Sequence, residues 1–213
     1  MTRPPAERIS IEGPAGAIEV AIDAPAEVRG IALVGHPHPL FGGTADNKVA
    51  YTMARTFRDL HYVALRPNFR GVGQTEGDHD EGEGETDDMH AVLDYARARW
   101  GRLPFVLAGF SFGSNVQARL GRRLSEAGAP PQRLVMVGTA AGTVTGLRHY
   151  DTPTVPADTI VIHGEKDTTV PLANVLDWAR PQQLPVIVVP GADHFFHSRL
   201  HLIRDIITRA WRH

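Results

Sequence analysis

Ser111 stands between Gly109 and Gly113 in the stretch GFSFGS (109–114), after the apolar run PFVLAGF and before NVQARLGRRL. Two glycines around a serine, where a buried strand passes into a helix, let the elements approach closely while the corner holds out a nucleophile. A serine hydroxyl attacks a carbonyl only when a base takes its proton. The base in turn needs a carboxylate to fix its tautomer and stabilise the imidazolium. Asp167 closes HGEKD (163–167) and His194 closes GADH (191–194), each just past another apolar run. The order is serine, aspartate, histidine. Taken singly, Ser111 reads as a helix cap, Asp167 as a turn residue and His194 as a helix N-terminal residue bonded to backbone. Their joint placement after three strands favours nucleophilic acyl transfer.

Each role has competitors. Glu165 lies nearer its strand end than Asp167 and is the reserve acid. Asp193 is adjacent to His194, so the two side chains diverge. His197 lies one turn further on and is expected to support the pocket wall or the helix. An oxyanion needs two N–H donors. One is the Phe112 amide, the first in the helix after Ser111. The other must come from HPHPLFGG (36–43), where prolines leave few amides; Leu40 is the first choice and His38 the second. The same loop offers His36-x-His38, a spacing used by zinc, but no third or fourth ligand accompanies it, so no metal and no cofactor is expected. Leu40, Phe41, Phe195 and Phe196 flank the expected site as lining for a short acyl chain. Arg70, just after a strand, is a substrate contact or a brace between loops. The acidic run EGDHDEGEGETDD (76–88) fails the calcium-loop template and reads as a solvated loop leading into a helix N-terminus, where its carboxylates are favourable.

These residues are useful only if a scaffold brings them to one edge. RISIEG and AIEVAID alternate with period two around a Gly-Pro turn and predict an N-terminal hairpin. Six near-continuous apolar runs follow at 30–36, 62–68, 104–110, 133–139, 159–164 and 184–191, as in parallel strands covered on both faces. Helical patterns lie between them at about 46–60, 85–100, 112–127, 171–180 and 195–211. Alternation of strand and helix predicts a doubly wound, mostly parallel α/β sheet with helices on both faces, in one domain over 1–213. In such sheets ligands bind beyond the carboxyl ends of the strands. That is where Ser111, Asp167 and His194 fall.

Composition narrows the classes further. With 22 Lys and Arg against 24 Asp and Glu, the net charge of −2 gives no electrostatic case for nucleic acid or an anionic membrane. Cysteine is absent, which excludes disulfides and thiolate chemistry. No run approaches the roughly 18 apolar residues of a membrane span, and the opening MTRPPAERIS lacks an apolar signal core, so a cytoplasmic protein is expected.

Taken together, HPHPLFGGTADNKV, ALRPNFRGVGQTEG, LAGFSFGSNV, VIHGEKDTTVP and GADHFF resemble the α/β-hydrolase superfamily, specifically its small bacterial esterase-like branch near the dienelactone hydrolases. The resemblance covers nearly the whole chain. It implies a Ser111–His194–Asp167 triad, with amides of Phe112 and the 38–40 loop as oxyanion donors. Dienelactone hydrolases proper use a cysteine nucleophile, which this chain lacks. The connection of about 19 residues after the strand at 133–139 is too short for a cap domain, so an open, shallow site is expected unless a second subunit, as in a homodimer, covers it. The expected substrate is a small carboxylic ester. The alternatives are a thioester or amide, or a non-catalytic binding protein on the same fold.

Overall fold

The computed structural model describes residues 6–146 and 148–211. Strands β1 (Glu7–Gly13) and β2 (Gly16–Asp23) form the expected antiparallel hairpin. Then follow β3 (Gly30–Gly35), α1 (Lys48–Asp59), β4 (Tyr62–Pro67), α2 (Glu83–Trp100), β5 (Phe105–Phe110), α3 (Phe112–Glu126) and β6 (Arg133–Val137). A short ribbon, β7 (Gly142–Thr143) with β8 (His149–Tyr150), precedes β9 (Ile160–Gly164), α4 (Leu172–Ala179), β10 (Val186–Val189) and α5 (Leu200–Ala210). The eight-stranded sheet runs β1-β2-β4-β3-β5-β6-β9-β10. From β4 to β10 every pairing is parallel, and β2 joins β4 antiparallel.

Period-two alternation sorts the strand residues between two layers. Ile31, Leu33, Leu65 and Leu107 face α2 and α3, where Met89, Val92, Val116 and Leu120 complete one core. Ala32, Val34, Val106 and Ala108 face α1 and α5, meeting Met53, Phe57, Ile203 and Ile207 in the other. The smaller residues on this second face make room for Phe57 and Trp211, whose rings meet edge-on at 5.3 Å. Burying an aliphatic or aromatic side chain contributes roughly 1.5–3 kcal/mol, so the two layers hold the central strands rigid under the site. Arg66 ties β4 to β2 through Asp23, Nε at 3.1 Å and Nη2 at 2.9 Å from the same carboxylate oxygen, both side chains buried.

Two elements depart from the sequence expectation. The last strand is only Val186–Val189, and Ile187 and Val188, on opposite faces, are both exposed because β10 is the sheet edge, where cover on either side is incomplete. The last helix begins at Leu200, since Phe196 (φ 53°) and Ser198 (φ 61°) break the run before it. Among the described residues no helix is long and apolar enough to cross a membrane.

Candidate active site

The corner after β5 is strained. Ser111 sits at φ 55° and ψ −121°, outside the regions that side chains favour, as the residue immediately before α3. Its amide donates to Val137 O at 2.9 Å, and its carbonyl accepts from the Ser114 amide at 2.9 Å and the Ser114 hydroxyl at 2.6 Å. Both main-chain groups are thus pinned to β6 and the first turn of α3. The flanking glycines are required by contact. A Cβ on Gly109 would lie 2.3 Å from Gly113 O, and one on Gly113 would lie 2.5 Å from the Gly35 carbonyl carbon. Any side chain there would push α3 off β3 and β5.

His194 lies in the loop after β10, its ring 4.8 Å from that of Phe110 and 5.1 Å from that of Phe195. Its Nε2 is 3.1 Å from Ser111 Oγ and its Nδ1 is 2.7 Å from Asp167 Oδ2. A carboxylate only accepts, so Nδ1 carries the proton and Nε2 presents a lone pair to the serine hydroxyl. Asp167 Oδ1 accepts the Thr169 and Val170 amides at 2.9 and 2.8 Å, which fixes the carboxylate plane. Beneath it lies buried His163, with Nε2 3.0 Å from Val170 O and 3.5 Å from Asp167 Oδ2. Burial pushes His163 below its usual pKa, so it is a neutral N–H donor. Ser111, Asp167 and His194 are each less than a tenth exposed.

The competitors are occupied elsewhere. Glu165 turns outward and accepts the Gly191 amide at 2.7 Å. Asp193 pairs with the exposed His197, whose Nδ1 is 2.6 Å away. In the loop after β3, His36 is fully buried, with Nδ1 2.6 Å from Pro37 O and Nε2 2.9 Å from the Phe69 amide. Both nitrogens are committed, the first as donor and the second as acceptor, so neither retains a lone pair for a metal. Desolvation lowers its pKa to about 4.

Of the two expected oxyanion donors from this loop, the Leu40 amide already has a partner. It donates to His38 Nδ1 at 3.3 Å within the turn Pro39–Phe41, and the Leu40 side chain is 69% exposed. The His36 ring instead holds the Pro37 carbonyl, and across a trans peptide that sets the direction of the His38 N–H. The His38 ring packs on Phe112 at 4.9 Å, beside the first amide of α3, which has no partner within its helix.

A cleft of about 550 Å³ opens at His38 and Phe112. Leu40 and Phe41 line it, whereas Phe195 is exposed beside the His194 ring and does not line it. Phe196 is no pocket residue: its positive φ turns the ring into the core among the α1 and α5 side chains, where it is fully buried. Arg70 is a brace, with Nε 2.7 Å and Nη2 3.1 Å from the Asp88 carboxylate of α2. The acidic run is only partly solvated. Asp88 is buried with Arg70, and fully buried Glu85 accepts from the Asp80 and Gly82 amides at 3.0 and 2.8 Å and lies 2.6 Å from His79 Nδ1. Nor is the site merely open: Arg148, His149, Tyr150 and Asp151, from the connection after β6, wall the cleft. The sequence reading passed over this wall and the buried His163. A histidine inside the apolar run TIVIHG was the available signal for the latter.

The family model that matches this chain describes a thioesterase domain and covers residues 48–173. A crystal structure of an α/β serine hydrolase without lid from Xanthomonas campestris superposes with a TM-score of 0.86 at 33% identity, covering 99% of this chain and 95% of that one. The chain is an α/β-hydrolase of the thioesterase-domain family. An α/β serine hydrolase homologue from Coxiella burnetii shares 32% identity over the full length of both chains, with a TM-score of 0.84. An uncharacterized protein of Rickettsia prowazekii is 32% identical over 90% of this chain and 83% of its own. The Xanthomonas relative is an α/β serine hydrolase without lid, and in this α/β-hydrolase the described residues of the connection after β6 form the two-stranded ribbon and the cleft wall.

Proposed function

We propose that this α/β-hydrolase cleaves small carboxylic esters through an acyl-enzyme on Ser111. The observation that carries the reading is the hydrogen-bonded line from Asp167 through His194 to a serine held at φ 55°. His194 Nε2 takes the hydroxyl proton as Ser111 Oγ attacks the carbonyl carbon, and Asp167 balances the imidazolium. The carbonyl oxygen becomes an oxyanion, held by the amides of Phe112 and His38. Collapse breaks the ester C–O bond, and His194 gives its proton to the leaving alcohol. Water then repeats the sequence: His194 takes its proton, the hydroxyl adds to the acyl carbon, and Ser111 leaves with the proton returned.

Chain length follows from the cleft. Leu40, Phe41 and Phe112 offer apolar contact, whereas Arg119, Arg148, His79, Glu81 and Asp151 bring charged and titratable groups to the same small lining. Methylenes beyond the first few would meet charged groups, so the favoured acyl groups are short. A thioester is the second reading, favoured by the thioesterase-domain match. Reaction with a fluorophosphonate, followed by turnover of p-nitrophenyl butyrate and its thioester analogue, tests both. Labelling at Ser111 with faster ester cleavage is expected. Absence of labelling would leave a binding protein, and a thioester preference above ten-fold would install the second reading.

A further inference from the structure

Two arginines, Arg119 and Arg148, and two carboxylates, Glu81 and Asp151, line the cleft, and the arginines are partnered differently. Arg119 pairs with Glu83, and His79 lies 2.6 Å from the buried carboxylate of Glu85, so both are matched within the protein. Arg148 is not. Among the described residues no carboxylate lies within ion-pair distance of its guanidinium, which rests 4.0 Å above the Phe41 ring. It donates to Tyr150 Oη at 3.4 Å and to Thr145 O at 3.2 Å, and its Nε is buried with no partner. The Nε of Arg119 is closed off in the same way, so the positions Arg148 leaves to a ligand are the remaining N–H groups of its two terminal nitrogens, Nη1 and Nη2. Glu81 and Asp151, which also line the cleft, are exposed and make no ion pair to it. Burial raises the Tyr150 phenol pKa, so that group remains an O–H donor.

We infer that the cleft receives a carboxylate carried by the substrate, with Arg148 as its counter-ion and Tyr150 as a second donor. The guanidinium fork suits the planar, bidentate acceptor that a carboxylate presents. Phe41 holds the fork from below by cation–π contact, which limits its rotamers before substrate arrives. Because the cleft opens at Phe112 and His38, the carboxylate would sit on the acyl half, several bonds from the carbonyl attacked. The substrate class is then a monoester of a short dicarboxylic acid. The inference rests on the serine-hydrolase reading of Ser111.

The test compares the p-nitrophenyl monoester of glutarate with that of glutaramate, which has the same shape without the charge. A second pair, 4-acetoxybenzoate and 4-acetoxybenzamide, carries the charge on the leaving group instead. The account expects kcat/KM to favour the glutarate ester by roughly ten- to a hundred-fold, mostly through KM, with no preference in the second pair. Arg148→Gln should bring the glutarate/glutaramate ratio towards one. Asp151→Asn, which removes a negative rim charge, should raise it, an effect of opposite sign that loss of structure would not produce. Equal turnover within the first pair, or a ratio unmoved by Arg148→Gln, overturns the inference and leaves the esterase reading standing. If neither ester of the first pair is cleaved, the esterase reading falls. Calorimetric titration of both onto Ser111→Ala then decides the pocket alone, where at least ten-fold tighter binding of glutarate is expected and equal binding refutes it.

Discussion

The fully buried His36 should make the fold sensitive to mild acid in a way that one substitution can isolate. Its neutral ring bridges Pro37 O and the Phe69 amide, joining the ends of β3 and β4, and desolvation lowers its pKa from 6.5 to about 4. A group whose folded pKa is depressed contributes its full stability above the unfolded pKa and loses it as pH falls through the folded value. The window here runs from about 6.5 down to about 4. At about 1.4 kcal/mol per pH unit the contribution over that window is on the order of 3 kcal/mol. Carboxylates also titrate there, so the informative quantity is the difference between wild type and His36→Gln. Urea unfolding at pH 7.5 should show the variant less stable by about 1–3 kcal/mol, because two buried hydrogen bonds are disturbed. By pH 4.5 wild type should have lost about 2–3 kcal/mol that the variant does not lose, so the curves converge or cross. Parallel stability curves from pH 7.5 to 4.5 would refute the assignment of a buried neutral His36.

Three further outcomes are expected. Asp167→Asn should lower kcat by orders of magnitude through loss of the correct His194 tautomer, while Glu165→Gln and His197→Ala, both turned away from the site, should each keep kcat within about three-fold. Asp23→Ala leaves Nε and Nη2 of the buried Arg66 without partners while Nη1 keeps Asp46 and Ala45 O, and should cost about 2–4 kcal/mol in urea unfolding, with a loss below 1 kcal/mol counting against a buried pair. In a series of p-nitrophenyl esters below their micelle concentrations, kcat/KM should peak between acetyl and butyryl. Each buried methylene is worth roughly 0.8 kcal/mol, so a steady rise to decanoyl would require an apolar groove that this cleft lacks.

The parallel strands were legible because their residues are buried on both sides, leaving Val, Ile, Leu and Ala in unbroken runs. The edge strand β10 carries the same apolar signal with half the burial, so sequence overstates its cover. Ser111, Asp167 and His194 could be picked out because a sheet delivers the residue after each strand to one edge, and the structure brings those three within hydrogen-bond reach. Residues placed by irregular backbone were not legible. Positive φ at Phe196 sends into the core a ring that adjacency to His194 assigned to the pocket. Arg70 meets Asp88 only because the acidic segment folds back over β4, and no local pattern announces such a contact. Arg148 is one arginine among many in the sequence. Its distinction is its place in the cleft wall, half-buried over the Phe41 ring with no carboxylate beside it, which only the fold reveals.

The most direct measurement is the burst of p-nitrophenol from p-nitrophenyl butyrate, with wild type, Ser111→Ala and His194→Ala compared alongside fluorophosphonate labelling and peptide mapping. The account predicts label on Ser111 alone. It also predicts a loss in kcat on the order of 10⁴ to 10⁶ for both variants, with folds unchanged by circular dichroism and no further loss when they are combined, because the members of such a triad act as a unit. Label on another residue, or Ser111→Ala retaining more than about a tenth of wild-type kcat, a difference of only about 1.4 kcal/mol in the barrier, would contradict it.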